Sequence, residues 1–158
     1  MIWTKKYPFT INDLQPTSDS GYIIAADSGR VAKIDLLGNI QWQNTFSNNF
    51  LSAIPTADGG YIATGFFTDS SQVDIVLTKI YANGNLQWTA THGDPGFNET
   101  ATTIIQTADG GYAVTGYRRD AVSTRWLLVK FFPNGNGQWQ RSFVNVFDSR
   151  AADFQQTA

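Results

Sequence analysis

The chain has 158 residues, of which 42% are hydrophobic, 14% aromatic and 15% charged, with a formal net charge of −2. Those aromatics suffice for a packed core and exclude a disordered chain, and the slight acidity offers no field to nucleic acid or an anionic membrane. The absence of cysteine excludes disulfides and thiolate chemistry, the single histidine excludes a two-histidine metal motif, and no run reaches the roughly 18 apolar residues of a membrane span.

In chain order, the first element is a short strand over 2–7 that carries Trp3. Met1-Ile2-Trp3-Thr4-Lys5-Lys6 has charge where a signal peptide needs an apolar run, so no signal peptide is read here. A first unit covers approximately 8–46, with Ser18-Asp19-Ser20-Gly21-Tyr22, then Lys33-Ile34-Asp35, then Gly38-Asn39 and Gln41-Trp42. A second covers 50–92, with Thr56-Ala57-Asp58-Gly59-Gly60-Tyr61, then Lys79, then Asn83-Gly84-Asn85 and Gln87-Trp88. A third, over 100–144, repeats the second letter for letter at Thr107-Ala108-Asp109-Gly110-Gly111-Tyr112, then at Lys130, Asn134-Gly135-Asn136 and Gln138-Trp139. A trailing strand over 151–157 starts a further copy, since Gln156-Thr157-Ala158 repeats Gln106-Thr107-Ala108. Such self-similarity is the mark of a repeat architecture.

Each unit reads as four strands without helical period. In the third they fall at 102–106, 112–117, 125–132 and 138–144. Asp109-Gly110-Gly111 and Asn134-Gly135-Asn136 supply the positive φ that tight hairpins demand. The third strand of a unit is apolar at successive positions (Ile75, Val76, Leu77), as in a sheet covered on both faces. Four-stranded antiparallel sheets of this length, buried on both sides, are the blades of a β-propeller. The expected fold is therefore all-β, a propeller arc of three full blades plus a leading outer strand and a trailing inner strand. A small residue four places after each tyrosine (Ala26, Gly65, Gly116) suits either close approach of neighbouring sheets or a bulge. The tryptophans Trp3, Trp42, Trp88 and Trp139 read as packing anchors between blades.

The run from Gly21-Tyr22 through Lys33-Ile34-Asp35 to Gly38-Asn39-Ile40-Gln41-Trp42 resembles a PQQ-like propeller repeat. The later units resemble the Asp-Gly-Gly-Tyr repeats of secreted or surface propeller proteins of bacteria and archaea. The resemblance implies an extracellular or cell-surface setting. Because three blades do not close a ring, further blades are expected from the rest of a longer chain or from other copies.

In such a meander the first and third turns of every unit share one rim, and the nearly identical Asp-Gly-Gly and Asn-Gly-Asn turns lie there. The opposite rim collects the length differences, at 27–29, 67–73, 118–123 and the longer connection through His92 to Glu99. Loops on a rigid scaffold carry function, so this variable rim is the expected binding face. Its candidate ligand-binding residues are His92, Asp94, Phe97, Glu99, Asp69, Arg118, Arg119 and Asp120. Arg118-Arg119-Asp120 offers guanidinium forks for a carboxylate or phosphate, or is a charged loop tip. Asp69, Asp94 and Glu99 have oxygen ligands without the spacing of a calcium loop. Phe66, Phe67 and Phe97 could stack on a sugar or cap the core, and Asn98-Glu99-Thr100 matches the glycosylation acceptor pattern. No nucleophile–base pair stands at matched positions, so no catalytic residue, metal or cofactor is expected. The expected function is noncatalytic binding of a protein or glycan; the alternatives are a portion of a quinoprotein-type oxidoreductase or a purely structural surface repeat.

Overall fold

The computed structural model describes residues 4–69, 71–144 and 155–156. Among the described residues there are twelve strands and no helix, arranged as three four-stranded antiparallel meanders. The first sheet holds β1 (Ile11–Pro16), β2 (Tyr22–Ala26), β3 (Arg30–Ile34) and β4 (Ile40–Thr45). The second holds β5 (Asn49–Pro55), β6 (Tyr61–Thr68), β7 (Val73–Ile80) and β8 (Leu86–His92). The third holds β9 (Asn98–Gln106), β10 (Tyr112–Arg119), β11 (Thr124–Phe131) and β12 (Gly137–Val144).

The middle sheet shows why its strands are apolar throughout. Successive side chains of a strand point to opposite faces. Tyr61, Ala63, Val76 and Ile80 turn toward the first sheet, whereas Ile62, Ile75 and Leu77 turn toward the third. Both faces are dry, so no position on β7 from Ile75 to Ile80 is left for a solvated residue. The outer strand β8, by contrast, alternates between exposed and half-buried positions. β5 packs on β1 and β2, and β9 on β5, β6 and β7, which gathers the first strand of each sheet on one side. There they line a cavity of about 430 Å³ with Asn12, Asp13, Ser52, Thr102 and Thr103. Asp13 ties two of these strands together, accepting from Ser52 Oγ at 2.7 Å and from the Ala53 amide at 3.1 Å.

The small residues after the tyrosines serve a bulge, the second of the two readings open from sequence. The register slips between Phe50 and Ser52 opposite Gly65, and between Thr115 and Gly116. A side chain on Gly116 would strike the Thr100 carbonyl and the Ala101 Cα of its own sheet, not a neighbouring one.

The repeated Asp-Gly-Gly turn is the end of a buried latch. Lys79 is only 3% exposed, and its ammonium reaches the Asp58 carboxylate at 2.9 Å. Lys130 reaches Asp109 and Lys33 reaches Asp19 in the same way, at 3.0 and 2.9 Å. Each aspartate also accepts from the threonine two residues before it and from the amide of the second glycine. The two glycines have different jobs. Gly59 adopts φ 81° with open space where a side chain would go, and Ser20 takes that place in the first sheet at φ 68°. The second position (Gly21, Gly60, Gly111) has no such freedom, because a Cβ there would overlap the lysine ammonium and a backbone carbonyl. Hydrogen bonds from Thr107, Lys130 and the Gly111 amide hold the Asp109 carboxyl at about 2. Burial alone would raise Asp58, but Lys79, Thr56 and Gly60 bring it to about 2.

Residues 4–7 of the leading element form no ladder among the described residues, yet they lie on the first sheet. Lys5 Nζ donates to Asn39 Oδ1 at 2.9 Å, the Tyr7 hydroxyl donates to the Gly38 carbonyl at 2.8 Å, and Tyr7 stacks on Phe9 over Ile24 and Ile34. One sheet further on, β4 meets the second sheet alike, with Asn44 Nδ2 donating to the Gly84 carbonyl. Trp3, with the rest of the leading strand, lies outside the described residues, as does all of the trailing strand except residues 155–156.

Candidate functional site at the variable rim

The ladders run further than the sequence suggests. Arg118 pairs with Glu99, and Arg119 with Asn98, so β9 begins at Asn98 and β10 continues to Arg119. Arg118 is thus a strand residue that is 8% exposed, and not part of a charged loop tip. The rim loops expected at 67–73, 118–123 and from His92 to Glu99 shrink accordingly to 69–72, 120–123 and 93–97, while 27–29 keeps its bounds and 46–48 joins the first two sheets.

Five of the eight candidate residues converge between the second and third sheets. The Arg118 guanidinium lies 3.6 Å from the centroid of the Phe97 ring. Its Nη2 donates to Asp94 Oδ2 at 3.0 Å, and its Nε forms an ion pair with Glu99 Oε1 at 3.3 Å without the alignment of a hydrogen bond. The other Glu99 oxygen accepts from the Asp94 amide at 3.1 Å. Gln140, on β12, donates from Nε2 to Asp94 Oδ2 at 2.6 Å and faces His92 Nε2 with its Oε1 at 3.0 Å. That orientation makes Nε2 the protonated ring nitrogen of His92, whose ring also packs nearly perpendicular to that of Phe131, with 5.4 Å between centroids. Glu99 is fully buried, and desolvation pushes its carboxyl above the usual range while Arg118 opposes the shift. The result is a strap: residues 93–97 leave the second sheet and are pinned on the third by a charged cluster.

The remaining three candidates do not join it. Asp69 accepts from the Ser71 and Gln72 amides, and Asp120 from those of Val122 and Ser123, so each carboxylate closes its own four-residue turn. These bonds hold both carboxyls below the usual aspartate range. Arg119, the residue before Asp120, is exposed. Phe67 is half-buried in the core between the first two sheets, and Phe97 is occupied by Arg118. Among the described residues no group of three histidine, cysteine or acidic side chains is placed to hold a metal ion. Sequence reasoning missed Gln140 and the joint action of the five. One signal was present: Arg118 stands where the second unit has Phe67, and the acidic residues able to answer that charge occur in the lengthened connection that leads into the third unit.

No family model matches the sequence, and no curated protein sequence matches it significantly. Solved structures do. A protein of unknown function from Bacteroides caccae aligns with a TM-score of 0.60 at 12% identity, over 89% of this chain and 48% of that one. A europium-containing methanol dehydrogenase aligns with a TM-score of 0.58 at 19% identity, over 85% of this chain and 26% of that one. The fold is a β-propeller arc. The chain spans about half the length of the first of these structures and about a quarter of the second, and at such identities the likeness concerns fold alone.

Proposed function

We propose that the protein is a noncatalytic, extracellular or cell-surface propeller module of the Asp-Gly-Gly-Tyr type that binds a protein or glycan across its variable rim. One observation carries this reading. Most ionisable groups of that rim are spent on holding its loops: Arg118 on Asp94 and Glu99, His92 on Gln140, Asp69 and Asp120 on their own turns. Rigid loops present side chains at low entropic cost, which favours recognition. Beside them stand the exposed Arg119, at the end of β10, and Val122 in the following loop, the latter 94% exposed.

The test is a glycan and secreted-protein array probed with the chain, followed by titration of any ligand against Arg119→Ala and Val122→Ser. The reading expects binding that these substitutions weaken and that substitutions at the opposite rim, such as Asn83→Ala, leave intact. Binding unaffected by either rim substitution overturns it, as does dye-linked alcohol oxidation on addition of a quinone cofactor and a metal ion.

A further inference from the structure

The two formed seams between sheets use one pattern. The outer-strand tryptophan of a sheet lies on the Gly-Gly-Tyr tyrosine of the next, Trp42 on Tyr61 at 5.5 Å and Trp88 on Tyr112 at 6.2 Å between ring centroids. It also covers the glycine of the next sheet's Asn-Gly-Asn turn. A Cβ on Gly84 would come within 2.8 Å of Trp42, and one on Gly135 within 2.7 Å of Trp88. Trp42 Nε1 donates to the Ala82 carbonyl in that turn at 3.1 Å.

The third sheet repeats this half of the pattern with no neighbouring sheet described against it; Trp139 meets the Arg141 guanidinium of its own strand, 6.0 Å from the ring centroid. Trp139 is 42% exposed and Phe143 56%, although Phe143 stands where Phe46 and His92 stand in the formed seams. Trp126 and Leu128 on the same face are half-buried, while their counterparts on the second sheet, Ile75 and Leu77, are fully buried. A second observation says what belongs there. Gln106, on the inner strand of the third sheet, accepts the Ala57 amide of the second sheet at 2.8 Å. Gln156 accepts the Ala108 amide of the third sheet at 3.1 Å, which is the same contact one repeat later.

We infer that the outer face of the third sheet, around Trp139 and Phe143, is the seat of a fourth sheet of the same repeat, continuing from the segment that carries Gln156. Its Gly-Gly-Tyr tyrosine would lie under Trp139 and its turn glycine beside the indole. A second copy of the chain fits this seat poorly. The matching face of its first sheet is already taken by its own Lys5, Tyr7 and Phe9.

The test extends the chain after Ala158 with a copy of residues 109–144, which continues the repeat in phase, and measures hydroxyl-radical oxidation residue by residue. The expected result is a monomer in which oxidation of Trp139 and Phe143 falls several-fold, to the rates of Trp42 and Trp88. An extended chain that gains strand signal yet leaves Trp139 as reactive as before overturns the inference. So does concentration-dependent dimerisation of the unextended chain with protection of Trp139, which would make a second copy the occupant. Should the extension not fold, Trp139→Ser and Trp88→Ser in the unextended chain decide: the first should leave Tm unchanged and the second lower it by several degrees. Equal losses from the two overturn the inference.

Discussion

The two seams of this molecule join the same kind of sheet by different means. Between the first and second sheets the connection is short, and Phe46, Phe50 and Phe67 close the rim end with an edge-on ring contact of 5.8 Å between Phe46 and Phe50. Between the second and third, His92 replaces Phe46 and Arg118 replaces Phe67 at the same repeat positions. The longer connection then supplies Asp94, Phe97 and Glu99 to answer the buried guanidinium. An apolar seam depends on burial and tolerates adjustment of its side chains. A buried charged seam depends on every partner being present, because one missing partner leaves an uncompensated ion. The first arrangement serves cohesion; the second also fixes the course of a rim loop.

The largest expected effect follows from that asymmetry. Arg118→Met should cost about 3 to 5 kcal/mol at neutral pH, the usual penalty for stranding one member of a buried pair, read by denaturant unfolding. The deficit should shrink in acid, since Glu99, raised by burial, becomes neutral as pH falls through its folded value and then needs no cation. The equivalent change in the apolar seam, Phe67→Ala, should cost about 2 kcal/mol, below the range for fully buried phenylalanine because Phe67 is only half-buried. It should show no such pH dependence. A Phe67→Ala loss exceeding that of Arg118→Met would reverse the comparison.

The latches on the opposite rim act within each sheet and not at a seam. Asp58 and Asp109 are held at about 2, below the ordinary 3.8, so their contribution is complete above pH 3.8 and disappears as pH falls toward 2. Asp109→Asn should therefore lower Tm at pH 7 and flatten the dependence of Tm on pH between those values. The smallest effect concerns Ser20, held at φ 68° where the later repeats have glycine. Ser20→Gly should gain about 0.5 to 1 kcal/mol by relieving left-handed backbone, measured as a rise in urea midpoint; a loss would mean the serine side chain has a role of its own.

Much of the fold was legible because it rests on local chemistry repeated in register. Gly-Gly-Tyr and Asn-Gly-Asn announce turns, and the unbroken apolar run at Ile75 to Leu77 announces a strand covered on both faces. Strand ends were less legible. Asn98 and Glu99 look like polar loop residues and join β9 only because Arg119 and Arg118 lie opposite them. The rim cluster was visible as a roster of residues but not as an assembly, since Gln140 and His92 meet across sheets at a separation that no short-range pattern encodes. Asp69 and Asp120 look like exposed ligands in sequence, yet their oxygens are claimed by amides two and three residues on.

The most direct test of the charged seam is amide hydrogen exchange across residues 93–97 in the native chain and in Arg118→Met, under conditions where both remain folded. The Asp94 amide donates to Glu99 and the Phe97 amide to the Asp94 carbonyl, so both should be protected in the native chain. Their protection should collapse in the variant while that of β2 and β3 in the first sheet is retained. Unchanged protection at Asp94 and Phe97 would contradict the account.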